Sequence, residues 1–544
     1  MCDNHSNENE NKKRLGRSLN DGKKAHEQDH KKWSRRNFLV NSGIFTLGSA
    51  LMFGKSPVQA LAESPMLKAL SAANDDKVLV IINLDGGNDG LNTIVPRGNS
   101  TYYNLRPNLA IQEADMTPLS DAFGMPNFMN ELLPLWNEGK MNVIHSVSYP
   151  DQNYSHFRSA DIWSAGSPSN ELVNTGWIGR FLDYEYPAYS AAPANFPIGL
   201  QVGTQSSLIF MGNTNSMGLT INNPTQFYEI AQTGQLYNTN GLPDCSYGDE
   251  VMFLRETANN TYRYAETIRE AYTKSTDYAG YDANNPLSEQ LALVSRMIKG
   301  RLGTKIYLVH LGGFDTHAAQ PASHPTLMNY VANAVKTFYD DLTQAGHINE
   351  VLTMTVSEFG RTNGENASYG TDHGQAAPLF IFGENITGGF TGEFGDLPNV
   401  AYMDQKFTTD FRSVYSSILK DWFCIEKGIV DSIMGGDFPL IPNLLPSCEP
   451  TAGSNNTAAL LGHNPQPTNL NTMLIKYAIL KGGIVRLRIL DKSGKVLATL
   501  VNEAQEPNSY TIPVSASTYG LPSGEYIYKL EAGGRAYNRT IRLF

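Results

Sequence analysis

Val78-Leu79-Val80-Ile81-Ile82-Asn83-Leu84-Asp85-Gly86-Gly87 decides the fold of this chain. The run is apolar except for one asparagine, is rich in β-branched residues, and is closed by an acidic residue and two glycines. Such a run reads as a strand buried on both faces, and strands of that kind belong to parallel sheets. Three more runs share the pattern. Lys305-Ile306-Tyr307-Leu308-Val309-His310-Leu311 ends in Gly312-Gly313-Phe314-Asp315, Glu350-Val351-Leu352-Thr353-Met354-Thr355-Val356 ends at Ser357-Glu358, and Leu379-Phe380-Ile381-Phe382 is the fourth. Between the second and third, Leu327, Val331, Val335, Phe338 and Leu342 recur at spacings of three and four, which predicts a helix over 325–345. The order β-α-β-β predicts an α/β core with a mostly parallel sheet.

In open α/β sheets ligands bind beyond the carboxyl ends of the strands. Asp85, Asp315 with His317, Glu358, and Asp372 with His373 all fall in such places, each flanked by glycine. Carboxylates and imidazoles gathered in one crevice are ligand types for a divalent metal. In Asp315-Thr316-His317 the period of two puts both polar side chains on one side of an extended segment. Each residue also has a structural reading: Asp85 can end a strand, Glu358 can pair with Arg361, and His373 can cap a turn. A fifth segment, Gln152-Asn153-Tyr154-Ser155-His156-Phe157-Arg158, puts a good N-cap residue, Ser155, before a helical stretch. Helix N-termini attract anions, so Ser155 is a candidate nucleophile for a phosphoryl or sulfuryl group. Arg158, one turn in, is a candidate clamp for its oxygens. A plain N-cap beside a solvated arginine is the simpler alternative.

Around this core lie other signals. Ser34-Arg35-Arg36-Asn37-Phe38-Leu39, a weakly apolar stretch to Phe53 and Ala60-Leu61-Ala62 have the order of a twin-arginine export signal with a cleavage site. The stretch is too short and polar for a membrane span. Net charge is −11 with no long basic run, which argues against a nucleic-acid partner. Cys245, Cys424 and Cys448 remain beyond Cys2 in the leader; one bridge is allowed, with the pair left open. Residues 447–471 are rich in Pro, Asn, Ser and Thr and read as a linker. After it come alternating strands, Ile484–Leu490, Val496–Val501, Glu525–Leu530 and Ala536–Leu543, with turn signals between them. That spacing predicts a small antiparallel β-sandwich. The chain thus divides into a leader and signal (1–62), the α/β domain (75–446), a linker (447–471) and the sandwich (472–544). A long insert, about 181–285, is rich in Asn, Tyr and Thr and is expected to shape the substrate face.

The tail, with its Asp491-Lys492-Ser493-Gly494-Lys495 turn, Leu521-Pro522-Ser523-Gly524-Glu525-Tyr526 segment and Arg542-Leu543-Phe544 end, resembles the C-terminal sorting domain of the type IX secretion system. The main domain carries Asp85-Gly86-Gly87-Asn88-Asp89-Gly90-Leu91-Asn92, Tyr154-Ser155-His156-Phe157, Thr175-Gly176-Trp177-Ile178-Gly179-Arg180, Gly313-Phe314-Asp315-Thr316-His317, Ser357-Glu358-Phe359-Gly360-Arg361-Thr362, Gly370-Thr371-Asp372-His373-Gly374 and Asp410-Phe411-Arg412-Ser413-Val414-Tyr415. Over about 78–422 these motifs resemble the bacterial family named domain of unknown function 1501, which looks like a distant relative of alkaline phosphatases, sulfatases and cofactor-independent phosphoglycerate mutases.

That resemblance implies an alkaline-phosphatase-like three-layer α/β/α sandwich and metal-assisted ester hydrolysis through a covalent intermediate. By it Asp85 matches the first metal-binding aspartate, Ser155 the nucleophile, Asp315 the aspartate of an Asp-x-x-x-His motif, and His373 the late histidine ligand. Position 319 is Ala rather than His, so His317 is the nearest substitute. Glu358-Phe359 stands where the superfamily has Asp-His, and Phe359 cannot ligate. The expectation is an exported hydrolase of phosphate or sulfate esters with one or two divalent ions (zinc, manganese or calcium), held by Asp85, Asp315, His317, Glu358, Asp372 and His373. Its expected partners are the twin-arginine translocase, the type IX secretion machinery and a small anionic ester or glycan substrate. Its expected address is the periplasm, then the outer-membrane surface or medium. The alternative is a non-catalytic surface binding or structural protein on the same fold.

Overall fold

The structure, a computed structural model, describes residues 51–53, 56–58, 77–187, 189, 194, 196–203, 207–213, 215–223, 259, 262, 264–448, 458–466, 469–479, 482–491, 494–506 and 508–543. The twin-arginine stretch, the expected cleavage site and Cys245 lie outside the described residues. The chain divides into two units, Met1–Ser64 with Gln235–Asn259, and Pro65–Gly234 with Asn260–Phe544. Of the first, the antiparallel pair Leu51–Phe53 and Ser56–Val58 is described. All that follows concerns the second.

Its main sheet comprises β1 (Val78–Asp85), β2 (Met141–Ser148), β3 (Gly199–Val202), β4 (Gly218–Ile221), β5 (Ile306–Gly312), β6 (Val351–Val356), β7 (Ala377–Phe382), β8 (Gly389–Thr391) and β9 (Thr409–Asp410). The order across the sheet is β8-β2-β7-β6-β1-β5-β3-β4, with β9 also paired to β2. β1 sits inside, parallel to β5 and β6. β7 is antiparallel to both its neighbours, β6 and β2, and every other pair is parallel. The expected mostly parallel sheet is present. Because β7 runs backwards, the residues that lead into it, Asp372 and His373 among them, arrive at the edge where the parallel strands end.

Helices cover both faces: α1 (His156–Ala165), α2 (Trp177–Glu185), α3 (Pro286–Lys299), α4 (Gln320–Ala345), α5 (Phe411–Ser417) and α6 (Lys427–Met434). The alternation of β1 makes the three layers visible. Val78, Val80, Ile82 and Leu84 pack with Leu291 and Val294 of α3 and Val331 and Val335 of α4. Leu79 and Ile81 pack on the other side with Ile162 of α1, Trp177 and Phe181 of α2, Val414 of α5 and Val430 of α6. A strand buried on both faces has no polar side to offer, which is why its sequence is continuously apolar.

Several elements differ from the sequence reading. α4 begins at Gln320 rather than 325 and carries Pro325 inside it. Near a helix start a proline removes only one N–H from the ladder, so the helix tolerates it. β2 escapes the apolar pattern because Asn142, His145, Ser146 and Ser148 interrupt it, yet all eight residues are buried. There the Asn142 amide nitrogen donates to the Thr387 carbonyl at 2.7 Å and the Thr391 hydroxyl at 2.8 Å. The segment read as an insert at 181–285 contributes β3 and β4 to the sheet edge and the end of α2, so its described part is substantially scaffold.

The C-terminal region holds β10 (Ala458–Gln466), β11 (Asn469–Ile479), β12 (Gly483–Leu490), β13 (Val496–Gln505), β14 (Asn508–Val514), β15 (Gly524–Ala532) and β16 (Arg535–Leu543). They form two small antiparallel sheets, β10-β11-β14 and β13-β12-β15-β16. Ile475 and Tyr477 from one sheet and Leu487, Ile489, Tyr528 and Leu530 from the other share one core. β10 lies inside the stretch read as linker.

Cys424 and Cys448, 24 positions apart in sequence, form a disulfide with Cα atoms 5.4 Å apart. The bridge fastens the segment after α6 to the core beside Trp422. Replacing both cysteines by alanine is expected to lower unfolding free energy by about 3 kcal/mol, the loop-entropy scale for a closure of this size. Denaturant titration of both proteins under oxidising conditions measures it, and equal midpoints would show that the bridge contributes nothing to stability.

Candidate metal centre

Four loops meet beyond the carboxyl ends of β1, β5 and β6 and the start of β7. The first turns at Gly86 and Gly87, with φ of 121° and 86°. A Cβ at Gly86 would lie 2.3 Å from the Asp315 amide nitrogen, and one at Gly87 2.5 Å from the Phe359 ring. Only glycine combines that backbone with that approach. The close passage brings the Phe314-Asp315 backbone and the Glu358-Phe359 loop against the end of β1.

Asp315 is the hub. Its Oδ1 lies 3.1 Å from His317 Nε2, 3.2 Å from His373 Nε2 and 2.9 Å from Arg361 Nη2. Its Oδ2 lies 3.4 Å from His156 Nε2. The two imidazole nitrogens of His317 and His373 are themselves 2.9 Å apart. Donor atoms of His156, Asp315 and His373 all lie within 4.8 Å of one another. Phe359, where a ligand was expected, is a wall: its ring centroid is 4.4 Å from that of His373 and 4.9 Å from that of His156.

The far nitrogen of each imidazole is already committed. His373 Nδ1 donates to the Tyr154 carbonyl at 2.8 Å. His317 Nδ1 lies 2.9 Å from Asp372 Oδ1, and that hydrogen bond is the main cause holding the Asp372 carboxyl below its ordinary range. His156 Nδ1 lies 2.7 Å from Glu358 Oε1, which also accepts the Gly86 N–H at 2.8 Å. Burial pushes the Glu358 carboxyl up, against the opposing pull of His156. Burial lowers the His373 pKa and so favours its neutral form. A neutral ring whose Nδ1 is the donor presents the bare lone pair of Nε2. Two such lone pairs at 2.9 Å repel unless a cation stands between them.

The donor set fits a divalent ion. Around an ion bonded at 2.0–2.1 Å, tetrahedral neighbours are separated by about 3.3 Å. Asp315 Oδ1, His317 Nε2 and His373 Nε2 form a triangle close to that size. Carboxylates and a carbonyl on the rear nitrogens are the usual outer supports of metal-binding histidines.

Below the cluster two buried arginines hold the loops. Arg361 donates to the carbonyls of Gly86, Gly87, Phe314 and Thr371 and to Asp315. Burial alone would raise the Asp315 pKa, but Arg361, followed by His317 and His373, holds it below its ordinary value. Arg106 pairs with Asp89 at 2.7 Å, both fully buried, and reaches the carbonyls of Asn363 and Thr362 at 2.8 Å each. Gln320 donates to Asp89 and accepts from Thr316 at 2.9 Å and Thr371 at 2.7 Å. This layer therefore reaches the residues adjoining Asp315, His317 and Asp372.

Of the residues singled out by sequence, Asp315, His317 and His373 stand at the centre. Glu358 and Asp372 were expected as ligands; they bond instead to the rear nitrogens of His156 and His317. Asp85 pairs with His310, Oδ2 to Nδ1 at 3.0 Å, and receives the Asn83 amide. Ser155 is exposed as the N-cap of α1, and its hydroxyl makes no cap hydrogen bond. Arg158 was expected to grip an anion; its guanidinium is taken up by the carbonyls of Ser169 and Glu171. Glu358 does not pair with Arg361. Ala319, where the related motif has His, adopts left-handed backbone at φ 49°. His156 was missed: it follows Ser155 directly, at a helix start already read as facing the crevice. Arg361 was missed as the staple.

A family model described as "Protein of unknown function (DUF1501)" matches residues 145–441, more than half of the chain. No curated protein matches the sequence. Among solved structures, the chain is similar to the PsFucS1 sulfatase from Pseudoalteromonas sp., at 11% identity over 85% of this chain and 91% of that one, with a TM-score of 0.31. It is also similar to a protein in the alkaline phosphatase superfamily from Vibrio parahaemolyticus, at 11% identity over 84% and 91%, TM-score 0.26. The alkaline phosphatase from the Antarctic bacterium TAB5 matches at 9% identity over 58% and 94%, TM-score 0.26. Identities and scores this low carry nothing about chemistry or the role of any residue.

The Asp89–Arg106 pair makes a pH prediction. Burial would raise the Asp89 pKa, but Arg106, then His324 and Gln320, bring it below the ordinary value. A depressed folded pKa means the stabilisation is present above the unfolded value, about 4, and is lost as pH falls through the folded one. Asp89→Asn leaves Arg106 charged and without its carboxylate, so it is expected to cost about 3 kcal/mol at pH 7 and to flatten the acid limb of stability against pH. Equal acid slopes for the two proteins in denaturant titrations from pH 3 to 7 would contradict this.

Proposed function

The chain belongs to the family of proteins of unknown function DUF1501, and from that premise and its imidazole cluster we propose an exported, metal-dependent hydrolase of phosphate or sulfate esters that uses a serine nucleophile. One observation carries the reading: His156, His317 and His373 each have Nδ1 engaged, and all three Nε2 atoms face Asp315. Nitrogen-rich donors favour zinc or manganese over calcium.

A divalent ion bound there would supply Lewis acidity towards an ester's anionic oxygens and lower the pKa of a nearby hydroxyl. The residues of the chain supply the rest. Ser155 stands next in sequence to His156 with its hydroxyl uncommitted, at the head of a ten-residue helix whose first N–H groups can receive developing negative charge. Glu358 holds the His156 ring by Nδ1, and Arg361 holds the Asp315 carboxylate, so neither needs to reorganise as charge develops. Arg158 directs Nη2 to the carbonyls of Ser169 and Glu171, and no catalytic role is proposed for it.

A second reading, a surface binding or structural protein, draws on one observation. The Ser155 hydroxyl has no hydrogen-bonded base among the described residues. Elemental analysis of the purified mature chain, followed by a panel of phosphate and sulfate esters with the dominant metal, separates the two. The hydrolase reading expects bound metal, its loss in His317→Ala, and a fall in turnover of roughly a hundredfold or more in Ser155→Ala with metal retained. Metal without turnover on any ester supports the binding protein. Absence of metal from the folded chain sinks the proposed centre.

We further propose that the twin-arginine translocase exports the folded chain and that the type IX secretion machinery then carries it to the outer-membrane surface or medium. Support comes from Ser34-Arg35-Arg36, from the tail segments described above, and from the Cys424–Cys448 bridge, which suits an oxidising compartment. Replacing Arg35 and Arg36 by lysine is expected to retain the protein in the cytoplasm, as cell fractionation would report. Unaltered export of that variant would overturn the assignment.

A further inference from the structure

The exposed large apolar side chains of the α/β domain lie on loops that bond to the imidazole cluster or to the start of α1. Among the described residues they are Tyr154, Phe157, Leu172, Tyr369, Tyr402 and Met403. Each sits on a segment tied to the imidazole cluster. The Tyr154 carbonyl fixes His373, and Phe157 follows His156. Leu172 is on the loop whose carbonyls hold Arg158, one residue past Phe157. Tyr369 lies on the turn where the Asn366 amide bonds Asp372 and the His317 carbonyl. Tyr402 and Met403 precede Asp404, which accepts the Tyr154 hydroxyl. Phe157 is 87% exposed and Tyr402 79%. Apolar rings left in water around a polar centre mark a surface that something else covers.

The charges nearby narrow what that is. Segments 150–158, 166–175, 366–373 and 400–405 contain no lysine and one arginine, Arg158, whose Nη2 donates to two carbonyls. They carry Asp151, Glu171, Asp372 and Asp404 instead. With four carboxylates against one arginine, such a rim repels a dense polyanion and disfavours an anionic membrane. Exposed Asn170, Asn174 and Ser368 lie on the same loops as the rings. Flat rings with amides and hydroxyls close by complement a sugar, whose ring has an apolar C–H face and a hydroxylated edge. We infer that this rim binds a polysaccharide that is neutral or only sparsely charged, and that it delivers isolated ester groups to the cluster. The inference rests on the hydrolase reading for what the cluster does, and on the rim alone for what the rim binds.

Affinity electrophoresis of the zinc-supplemented full chain tests it, in gels containing galactomannan, xylan or mixed-linkage β-glucan, and in gels containing densely sulfated carrageenan. Flotation with phosphatidylglycerol vesicles runs beside it. The expected result is retardation by at least one neutral polymer and none by carrageenan beyond a polymer-free gel. The Phe157 and Tyr402 side chains lie in water. The Phe157→Ala/Tyr402→Ala double variant is expected to bind about tenfold more weakly, on the scale of two aromatic contacts, with hydrolysis of a small aryl ester unchanged. His317→Ala is expected to lose metal and turnover but keep its retardation. Failure of every neutral polymer to retard the protein, equal retardation of the double variant, or preference for carrageenan or vesicles overturns the inference. Retardation without turnover in any form would overturn the hydrolase reading and leave this one standing.

Discussion

The guanidinium of Arg361 is the constraint on which the candidate centre depends. It is buried and donates to four carbonyls from three loops and to the Asp315 carboxylate. Those carbonyls belong to segments far apart in sequence, and the arginine has donors enough to satisfy them together. Its charge is balanced by the same Asp315 that faces three imidazoles. A buried cation with fewer partners would be costly; here the partners are the loop backbones themselves. Holding the charge and shaping the site are one interaction.

The sheet sets the stage for that interaction. Parallel β1, β5 and β6 end together and deliver Asp85, Asp315 and Glu358 to one edge. β7 delivers His373 there because it alone is reversed. Glycines at 86 and 87 remove the side chains that would keep the loops apart. The Asp89–Arg106–Gln320 layer then braces Thr316 and Thr371, neighbours of the residues that matter. Aromatic rings on the outer side of the same loops face water. Support from below and contact from above thus converge on a single edge of the sheet.

Much of this was legible in advance, for reasons that differ residue by residue. The buried strands were readable because burial on both faces forces an unbroken apolar run. Asp315, His317 and His373 were readable because polar residues between glycines at strand ends have few other reasons to be there. Glu358 and Asp372 were readable as acids of the crevice but not as supports: which nitrogen of which histidine each would meet depends on loops up to 202 residues apart. His156 was overlooked beside a more conspicuous serine. An arginine one turn into a helix can turn either to an anion or to its own loop, and the sequence does not say which; Arg158 directs Nη2 to two carbonyls of its loop. β2 stayed hidden because its polar residues break the apolar pattern, and partners such as the Thr387 carbonyl and Thr391 hydroxyl adjoin it only once the chain is folded.

The sequence by itself determined the α/β class, the carboxyl-terminal edge as the place where polar residues gather, and the kinds of donor atom available, since these follow from burial and local periodicity. Tertiary structure alone decided which donor faces Asp315 and which stands behind it, that Arg361 holds the Asp315 carboxylate, and that Cys424 meets Cys448. Those outcomes turn on distances of a few ångströms between segments that the chain brings together only by folding, and no local pattern encodes them.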